Sequence, residues 1–269
     1  MSSGLTIKKS VIEIGLERPI KFLHITDAHI DVINAIGKEE NTCFFQDAMR
    51  YAREKGMFVV CTGDNFKGVS SDNIAYASEN IPDGNHIFLP GNHDFCACPD
   101  NLGLSDPTYW KELAKRWRPC YKQDLYFDSK IIGGVNFVSL RNVYYAIDSQ
   151  QVGMLRAEVA KGYPIVLCMH IPLFTTEKAN QMLSTWARCA YMVAPPKEYY
   201  TKYTERHKSE QIPTKETLEA VEYIGKESAI KAIVAGHIHE DLDGFADCGK
   251  RQITTAPLKD GVVREIEIV

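Results

Sequence analysis

The histidine pair His237 and His239 closes a series of short polar clusters, each of which directly follows a run of Val, Ile, Leu, Phe or Cys. The clusters supply Asp, His and Asn side chains at these positions: Asp27, His29, Asp64, Asn92, His93, Asp94, His170, His237 and His239. An apolar run that ends in a polar cluster is typical of a buried strand that ends at a functional site. Five such clusters therefore indicate a metal centre built from strand ends.

Carboxylate, amide and imidazole groups are the donors that this centre would offer. Such oxygen and nitrogen ligands suit Mn, Fe, Zn or Ni better than Ca or a thiolate-bound metal. The candidate ligands are Asp27, His29, Asp64, Asn92, His170, His237 and His239. This set is too large for one ion, but two ions that share a bridging carboxylate account for it. Two ions about 3.5–4 Å apart hold the attacking and leaving oxygens of a phosphoryl displacement.

Each polar residue also has an ordinary structural explanation when it is taken alone. Asp64 and Asn92 each follow a glycine and suit a tight turn, and Asp27 could cap a helix. An isolated histidine such as His24 is more often a hydrogen-bonded structural residue than a ligand. Taken together, however, five of the eight histidines would have to fall at strand ends by coincidence, which favours the metal centre.

Apolar segments predict the strands that carry these clusters: 20–25, 57–61, 86–89, 135–140, 165–169 and 232–235. Segments of helical period lie between them. They predict helices at 42–55, 107–117, 150–161 and 215–227, with N-caps at Asp106, Ser149 and Thr214. The alternation of strands and helices predicts a layered α/β architecture.

The C-terminal part of the chain follows a different pattern. Short strands predicted at 244–246, 251–255 and 262–268 are joined by turns, without helices between them. Residues 264–268 alternate between charged and apolar side chains, which predicts a half-exposed antiparallel strand. We therefore expect a mixed α/β (α+β) fold with two mixed sheets. The length of 269 residues suits a single domain that spans residues 1–269.

One long segment, 173–213, interrupts the alternation of strands and helices. It is rich in aromatic residues, contains the pair Pro195-Pro196 and leaves the sheet just after His170. Long insertions beside a site often form a lid or a substrate wall. The alternative is a surface excursion with its own small apolar cluster. We predict a lid.

Charge and cysteine content limit the partners and the compartment. Lys and Arg number 31 against 35 Asp and Glu, and the net charge of −4 argues against nucleic acid or an anionic membrane but allows a small phosphoester. The N-terminal residues do not resemble a signal peptide, and no apolar run approaches the ~20 residues of a membrane span, so we expect a cytoplasmic protein. The eight cysteines are expected to be free thiols. Cys96 and Cys98 could bind a soft metal, but two loop thiols are the favoured interpretation.

In order and rough spacing, the clusters resemble those of the calcineurin-like metallophosphoesterase superfamily: Asp27-x-His29, Gly63-Asp64, Gly91-Asn92-His93-Asp94, His170 and Gly236-His237-x-His239. The resemblance extends from about residue 20 to the C-terminus. It implies a four-layer α-β-β-α sandwich with a dinuclear metal site at the strand ends.

The resemblance also implies a role for each residue. The first metal would bind Asp27, His29 and His239, the second would bind Asn92, His170 and His237, and Asp64 would bridge both. A metal-bridging hydroxide would attack phosphorus in line. His93 would protonate the leaving oxygen, and Asp94 would orient the imidazole.

The residues after Asp64 differ from the motifs of two sub-families of this superfamily, and these differences limit the expected class of substrate. Lys67 stands where purple acid phosphatases place a metal-binding Tyr, and the Arg with which Ser/Thr protein phosphatases grip phosphate is missing after Asp64. The chain is therefore more similar to the phosphodiesterase-like members. A nuclease, which the acidic balance disfavours, and a non-catalytic protein-interaction scaffold on the same fold are the alternatives. Arg141 and Lys67 are candidate substrate-binding residues, with a surface salt bridge as the alternative for each.

Overall fold

The computed structural model describes residues 4–32, 39–95 and 107–269 of the chain. The strands in these residues are β1 (Thr6–Ile12), β2 (Ile20–Ile25), β3 (Phe58–Cys61), β4 (Ile87–Phe88), β5 (Phe127–Ile132), β6 (Val135–Leu140), β7 (Ile165–Cys168), β8 (Ile230–Ala235), β9 (Leu242–Phe245), β10 (Arg251–Thr254) and β11 (Val262–Ile268). The α-helices are α1 (Glu39–Glu54), α2 (Ser71–Asn80), α3 (Pro107–Tyr121), α4 (Ser149–Val159), α5 (Thr176–Trp186), α6 (Glu205–Gln211) and α7 (Lys215–Lys226).

The strands form two mixed sheets, with the orders β1-β11-β2-β3-β4 and β5-β6-β7-β8-β10-β9. In the first sheet β2, β3 and β4 are parallel, and in the second sheet β6, β7, β8 and β10 are parallel. The remaining pairs include antiparallel ones at β11–β2, β5–β6 and β9–β10. Because the central strands of each sheet run the same way, their carboxyl ends lie at one edge, where ligand sites of open sheets are found.

The two sheets pack face to face through apolar side chains, and helices cover both outer faces. Phe22 of β2 lies edge-on to Phe137 of β6, with ring centroids 5.4 Å apart, and so joins the sheets. The outer face of the first sheet packs with α1 and α3, where Trp117 is fully buried. The outer face of the second sheet packs with α4 and α7 around residues such as Leu155 and Ile224. The predicted four-layer α-β-β-α sandwich is therefore confirmed.

Most of the predicted elements are confirmed, and the C-terminal strand has the predicted alternation from Glu265 to Ile268, with half-buried glutamates and buried isoleucines. It departs from the prediction at Arg264. β11 lies between β1 and β2, parallel to the first and antiparallel to the second, and Arg264 is 5% exposed. Its guanidinium is held inside the fold by Ser10, Thr255 and Asp241. The prediction was wrong for this one residue, because long-range hydrogen bonds satisfy a cation that the sequence pattern assigns to solvent.

Local capping agrees with one predicted helix start and corrects another. Thr214 caps α7 by accepting from the Thr217 amide. Asp148, rather than Ser149, caps α4, because it forms a reciprocal capping box with Gln151. Asp106, Cys96 and Cys98 lie outside the described residues. The six described cysteines are free, and Cys61 and Cys168 are buried within β3 and β7.

Segment 173–213 folds around its own small apolar cluster. It contains α5, α6 and a 3₁₀ turn at Lys197–Lys202, and Phe174, Met182, Met192 and Tyr199 are buried together. The Phe174 amide donates to the Val193 carbonyl oxygen at 3.0 Å, which closes the base of the segment. The segment is thus an ordered insertion packed beside the sheet edge. None of the described helices is both long and apolar enough to cross a membrane.

Candidate metal centre and substrate cavity

The predicted polar clusters meet at the edge where the parallel strands end. Asp27 and His29 follow β2, Asp64 follows β3, Asn92 follows β4, His170 follows β7, and His237 and His239 follow β8. The loop after β2 is joined to the loop after β3 by hydrogen bonds from Asp27 N to Gly63 O and from His29 N to Asp64 O, both 2.9 Å. The fold therefore brings together side chains from both sheets.

The backbone at this edge is strained in a common way. Five of the candidate ligands have a left-handed backbone: Asp27 (φ 54°), His29 (φ 47°), Asp64 (φ 52°), His237 (φ 68°) and His239 (φ 55°). Such a conformation costs a non-glycine residue roughly 1–3 kcal/mol and persists only where the surrounding structure enforces it. The strain turns the side chains back over the strand ends, and its concentration here marks the edge as a functional site.

Two glycines let the loops approach closely enough for this arrangement. A Cβ atom at Gly91 would overlap the Asp64 carboxylate, and one at Gly236 would overlap the hydroxyl of Thr26. Thr26 in turn donates to Asp27 Oδ2 at 2.7 Å. The glycines of the predicted motifs therefore serve packing of the ligand loops against one another.

Asp27, His29 and His239 form what we call the first ligand group. Nε2 of His29 lies 3.1 Å from Nε2 of His239, which lies 3.2 Å from Asp27 Oδ1. Asp27 and His29 are buried, whereas the His239 side chain is 29% exposed. The three donor atoms thus converge on one point at the rim of the site.

Asn92, His170 and His237 form the second ligand group. Nε2 of His170 lies 3.1 Å from Asn92 Oδ1 and 3.2 Å from Nδ1 of His237. Nδ1 of His170 lies 2.7 Å from the carbonyl oxygen of Thr62, which can only accept, so this nitrogen carries a hydrogen. Nε2 is therefore the atom that His170 can offer to a cation.

Asp64 lies between the two groups. Its Oδ1 is 3.3 Å from Nε2 of His170, and its Oδ2 is 3.8 Å from Nε2 of His29. One carboxylate oxygen thus faces each group, which is the arrangement that a bridging ligand requires. Asp64 is 1% exposed, so its charge is met by these neighbours rather than by water.

The arrangement of the donor atoms is more favourable with metal cations between them than without. Two imidazole nitrogens only 3.1 Å apart, as in His29 and His239, need a hydrogen or a cation between their lone pairs. Asp27 Oδ1 is buried and accepts no hydrogen bond of good geometry, although His239 Nε2 is nearby. Because buried polar atoms normally have partners, a carboxylate oxygen in this state indicates that a cation belongs there.

The protonation of the histidines differs between the groups. Burial lowers the pKa of His29 to about 4 and that of His237 to about 3. Burial would also lower the pKa of His170, but the Asp64 charge and hydrogen bond outweigh it and raise the pKa to about 9. Burial opposes ionisation of Asp27, yet His239 and His170 hold its pKa below the usual range.

His93 and Asp94 have separate positions. His93 is exposed, lines the cavity described below, and places its ring 4.8 Å from that of His29. Asp94 is fully buried and accepts hydrogen bonds from the amides of Gly91, at 2.7 Å, and Phe66, at 2.8 Å. Burial, followed by the charge of Asp64, raises the Asp94 pKa to about 7. Through these contacts Asp94 joins two loops, and its implied role in orienting His93 stays a prediction.

Tyr145 is a residue of the site that the sequence reasoning missed. It follows β6, has a left-handed backbone (φ 59°), and its hydroxyl oxygen lies 2.9 Å from Nε2 of His237. Nε2 is the nitrogen that His237 turns away from the second ligand group. The signal in the sequence is its place shortly after the apolar run of β6, but Tyr is not among the residue types, Asp, His and Asn, that indicate the metal centre.

Arg141 and Lys67 lie outside the cavity lining. The Arg141 guanidinium stacks over the rings of Tyr126 and Tyr144, 5.3 and 5.6 Å from their centroids. Lys67 is half-buried, and its amide donates to the Ile30 carbonyl oxygen. A contact of either residue with substrate stays a prediction.

A cavity of about 430 Å³ opens above the ligand groups. Its floor includes Asp64, Asn92, His93, His237 and His239. Insertion residues, among them Trp186, Arg188 and Tyr191, line another side. The insertion therefore contributes a wall of the cavity as well as having its own core.

Known proteins share both the motifs and the fold. The family model for calcineurin-like phosphoesterases matches residues 20–241. No curated protein sequence matches the chain significantly. The crystal structure of a dimetal phosphatase from Danio rerio has the same fold, with a TM-score of 0.52, 14% sequence identity and coverage of 90% of this chain and 88% of that chain.

Two further structures are similar at lower scores. The GAP50 anchor in the inner membrane complex of Plasmodium has a TM-score of 0.45 and 11% identity, with coverage of 88% of this chain and 71% of that chain. The 5'-nucleotidase from Candida albicans has a TM-score of 0.42 and 11% identity, with coverage of 89% of this chain and 45% of that chain.

Proposed function

Because the chain belongs to the calcineurin-like phosphoesterase family and is a metal-dependent phosphoesterase, we propose that it hydrolyses small phosphodiesters at a centre of two metal ions. The observation that supports this proposal is the convergence of two ligand groups on the shared Asp64 at the floor of the cavity. The first ion would be held by Asp27, His29 and His239, and the second by Asn92, His170 and His237.

When bound, the ions supply an activated water as nucleophile and offset the charge that develops on the phosphoryl oxygens. The chain's own residues place and protonate the substrate. The His93 ring stands at the edge of the first ligand group and reaches the cavity, so its imidazole can donate a proton to the leaving oxygen. The His93 amide donates to Asp64 Oδ1 at 2.8 Å, which keeps this loop in register with the shared carboxylate.

The charge of the cavity floor supports a preference for diesters. A monoester carries two negative charges near neutral pH and a diester carries one. Among the described residues that line the cavity, the Lys and Arg side chains belong to the insertion, at Arg188 and Arg206. Apart from the two ions, the floor offers carboxylates and imidazoles, so no lysine or arginine of the floor helps the ions to bind the second charge of a monoester.

The test is hydrolysis of bis(para-nitrophenyl) phosphate and para-nitrophenyl phosphate by protein loaded with Mn, Fe, Zn or Ni. We expect two ions per chain and a higher kcat/KM for the diester. A chain that binds no metal and hydrolyses neither ester would overturn the proposal and favour an interaction scaffold.

The proposed role of His93 as a proton donor can be tested by changing the leaving group of the substrate. His93→Ala should lower kcat by about 10²–10⁴-fold for a diester with an alkoxide or phenolate leaving group, because these need a proton. The loss should be much smaller for para-nitrophenolate, which leaves without one. Equal losses for both leaving groups would exclude His93 as the general acid.

A further inference from the structure

The insertion supplies the part of the cavity that lies away from the metal ligands. We call its charged and aromatic residues the insertion wall: Trp186, Arg188, Tyr191, Arg206 and His207. The cavity volume of about 430 Å³ falls within the range of small-molecule sites, about 300–1,000 Å³. A phosphoryl group at the floor leaves most of that space to the rest of the substrate, which must then lie against the wall.

The wall presents aromatic rings to this space. Trp186, the last residue of α5, is 50% exposed, whereas Trp117 is fully buried. Tyr191 has a left-handed backbone (φ 55°), and its ring lies 5.7 Å from the ring of His207 and 6.2 Å from that of His237. Tyr191 thus connects the wall to the second ligand group. Exposed indole and phenol rings are suited to stacking on a flat ring of a ligand.

The wall also carries a positive charge. Arg206 is paired with Glu210, with Nε 2.9 Å from Oε1. Arg188 is exposed, and no carboxylate in the described part of the chain forms an ion pair with it. Burial lowers the pKa of His207, and the two arginines add to this effect against the opposing charge of Glu210, so His207 is neutral near pH 7. With Glu210 counted alongside Arg188 and Arg206, the wall therefore carries one net positive charge.

This positive wall stands out against the rest of the protein. The chain has a formal net charge of −4, and the floor contributes the carboxylate of Asp64 to the cavity. An arginine without a carboxylate partner, beside half-exposed rings in a cavity, is suited to an anion that enters with the ligand.

We infer that the insertion wall binds the part of the substrate beyond the phosphoryl group, and that this part carries a flat ring and a second negative charge. Trp186 and Tyr191 would contact the ring, and Arg188 would pair with the charge. The inference rests on the proposed hydrolysis of small phosphoesters at the floor and names the chemical class of substrate that this site selects.

Two matched diesters test the inference: methyl phenyl phosphate and methyl para-carboxyphenyl phosphate. They present the same ring and differ in the distal anion. With metal-loaded protein we expect kcat/KM to favour the carboxylated ester about tenfold, as the loss of a hydrogen bond to a charged group typically costs. Arg188→Ala should remove this preference, chiefly through KM, since the chemical step at the floor is the same.

Matched variants separate the wall from general surface effects. Arg18 is exposed, lies outside the cavity lining and provides the control Arg18→Ala, which should keep the tenfold preference. Trp186→Leu should raise KM for both esters, because both contain the ring. Tyr163, another exposed aromatic residue outside the lining, provides the control Tyr163→Leu.

Binding gives a readout that is independent of turnover. Phenylphosphonate and para-carboxyphenylphosphonate should quench tryptophan fluorescence of the metal-loaded protein, with tighter binding of the carboxylated compound, and Trp186→Phe should remove the quenching. If the protein hydrolyses neither ester but still prefers the carboxylated phosphonate through Arg188, the proposed function fails and the wall site stands. If wild type and Arg188→Ala show no preference in either assay, the wall site is overturned.

Discussion

The two ligand groups of the candidate metal centre have similar compositions but differ in the protonation of one buried histidine, His29 in the first group and His170 in the second. In the first group His29 has a pKa lowered to about 4, because burial disfavours its charged form. In the second group His170 is also buried, yet its pKa is raised to about 9, since the charge and hydrogen bond of Asp64 outweigh burial. At neutral pH the first group therefore offers a lone pair at His29, and the second group holds a proton at His170.

The hydrogen on Nε2 of His170 lies among three acceptor atoms. Asp64 Oδ1, Asn92 Oδ1 and His237 Nδ1 all lie within 3.1–3.3 Å of Nε2 of His170. These three acceptors surround the hydrogen on Nε2, so the proton occupies the position that a cation would take. The first group is prepared to bind an ion directly, whereas the second must exchange a proton for its ion.

The largest effect is expected at the residue that both groups share. Asp64→Asn keeps the acceptor for the His93 amide but removes the carboxylate charge whose two oxygens face His29 and His170. We expect loss of both ions and at least about a 100-fold fall in kcat/KM, since loss of even one stabilising donor at an active site costs that much. Metal content by mass spectrometry and turnover of a diester measure both effects.

A thermal melt of the metal-free variant controls for misfolding. The metal-free Asp64→Asn protein should still unfold cooperatively, because the carboxamide fills the same space. A variant that retains two ions per chain would contradict the shared role of Asp64 and would make the two groups independent sites.

The next largest effects are expected at His237 and His239, which lie one residue apart in sequence but belong to different ligand groups. His239→Ala should weaken the ion of the first group, and His237→Ala should weaken that of the second. Each variant should bind about one ion tightly, and anomalous scattering should locate that ion in opposite groups. Identical metal positions in the two variants would show that the division into groups is wrong.

Much of this site follows from the sequence because its signal is local. Each candidate ligand follows a strand whose apolar run is visible in the sequence, as in 165–169 before His170, and parallel strand ends must share an edge. The edge strands β1 and β5 were missed for a related reason. Both have several exposed or half-exposed positions, so their sequences contain no apolar run.

The sequence does not predict the protonation of His170 or the contact between Tyr145 and His237. Both depend on distances between loops that are far apart in sequence: Asp64 to His170, and Tyr145 to His237. The burial of Arg264 has the same origin, since its partners Ser10, on β1, and Asp241, in the loop before β9, are distant from it in sequence. Residue type and spacing predict which groups are present at an edge, and tertiary packing decides which of them exchange protons.

The pH dependence of metal binding tests the protonation of the second group. Its ion must displace the His170 proton, so its apparent affinity should rise about tenfold per pH unit up to about pH 9. Ion binding at His29 should require no such proton exchange above pH 6, because His29 is already neutral. Calorimetric titration of Zn near pH 7 in buffers of different ionisation enthalpy should detect about one proton released by His170.

The same His170 proton should make the metal-free protein less stable as pH rises, whereas it makes metal binding stronger as pH rises. Because the His170 pKa is raised from 6.5 to about 9, its ion pair with Asp64 stabilises the fold fully below pH 6.5, and this contribution is lost as pH rises through about 9. Melting temperatures of the metal-free protein between these pH values measure the loss. A flat profile in both experiments would mean that the groups do not differ in protonation.

Tyr145→Phe should produce the smallest effect and should act on one group alone. Since His237 is neutral and accepts at Nδ1, its Nε2 hydrogen donates to the Tyr145 hydroxyl, which fixes the ring for binding through Nδ1. Removing this partner should weaken the second ion roughly tenfold, as measured by chelator competition, and leave the first unchanged. Tyr191→Phe is the matched control. The Tyr191 ring also lies beside the His237 ring, but among the described residues the hydroxyl that hydrogen-bonds to His237 is that of Tyr145. Equal weakening of both ions by Tyr145→Phe, or by the two variants alike, would mean that the hydroxyl acts on the cavity as a whole and not on the tautomer of His237.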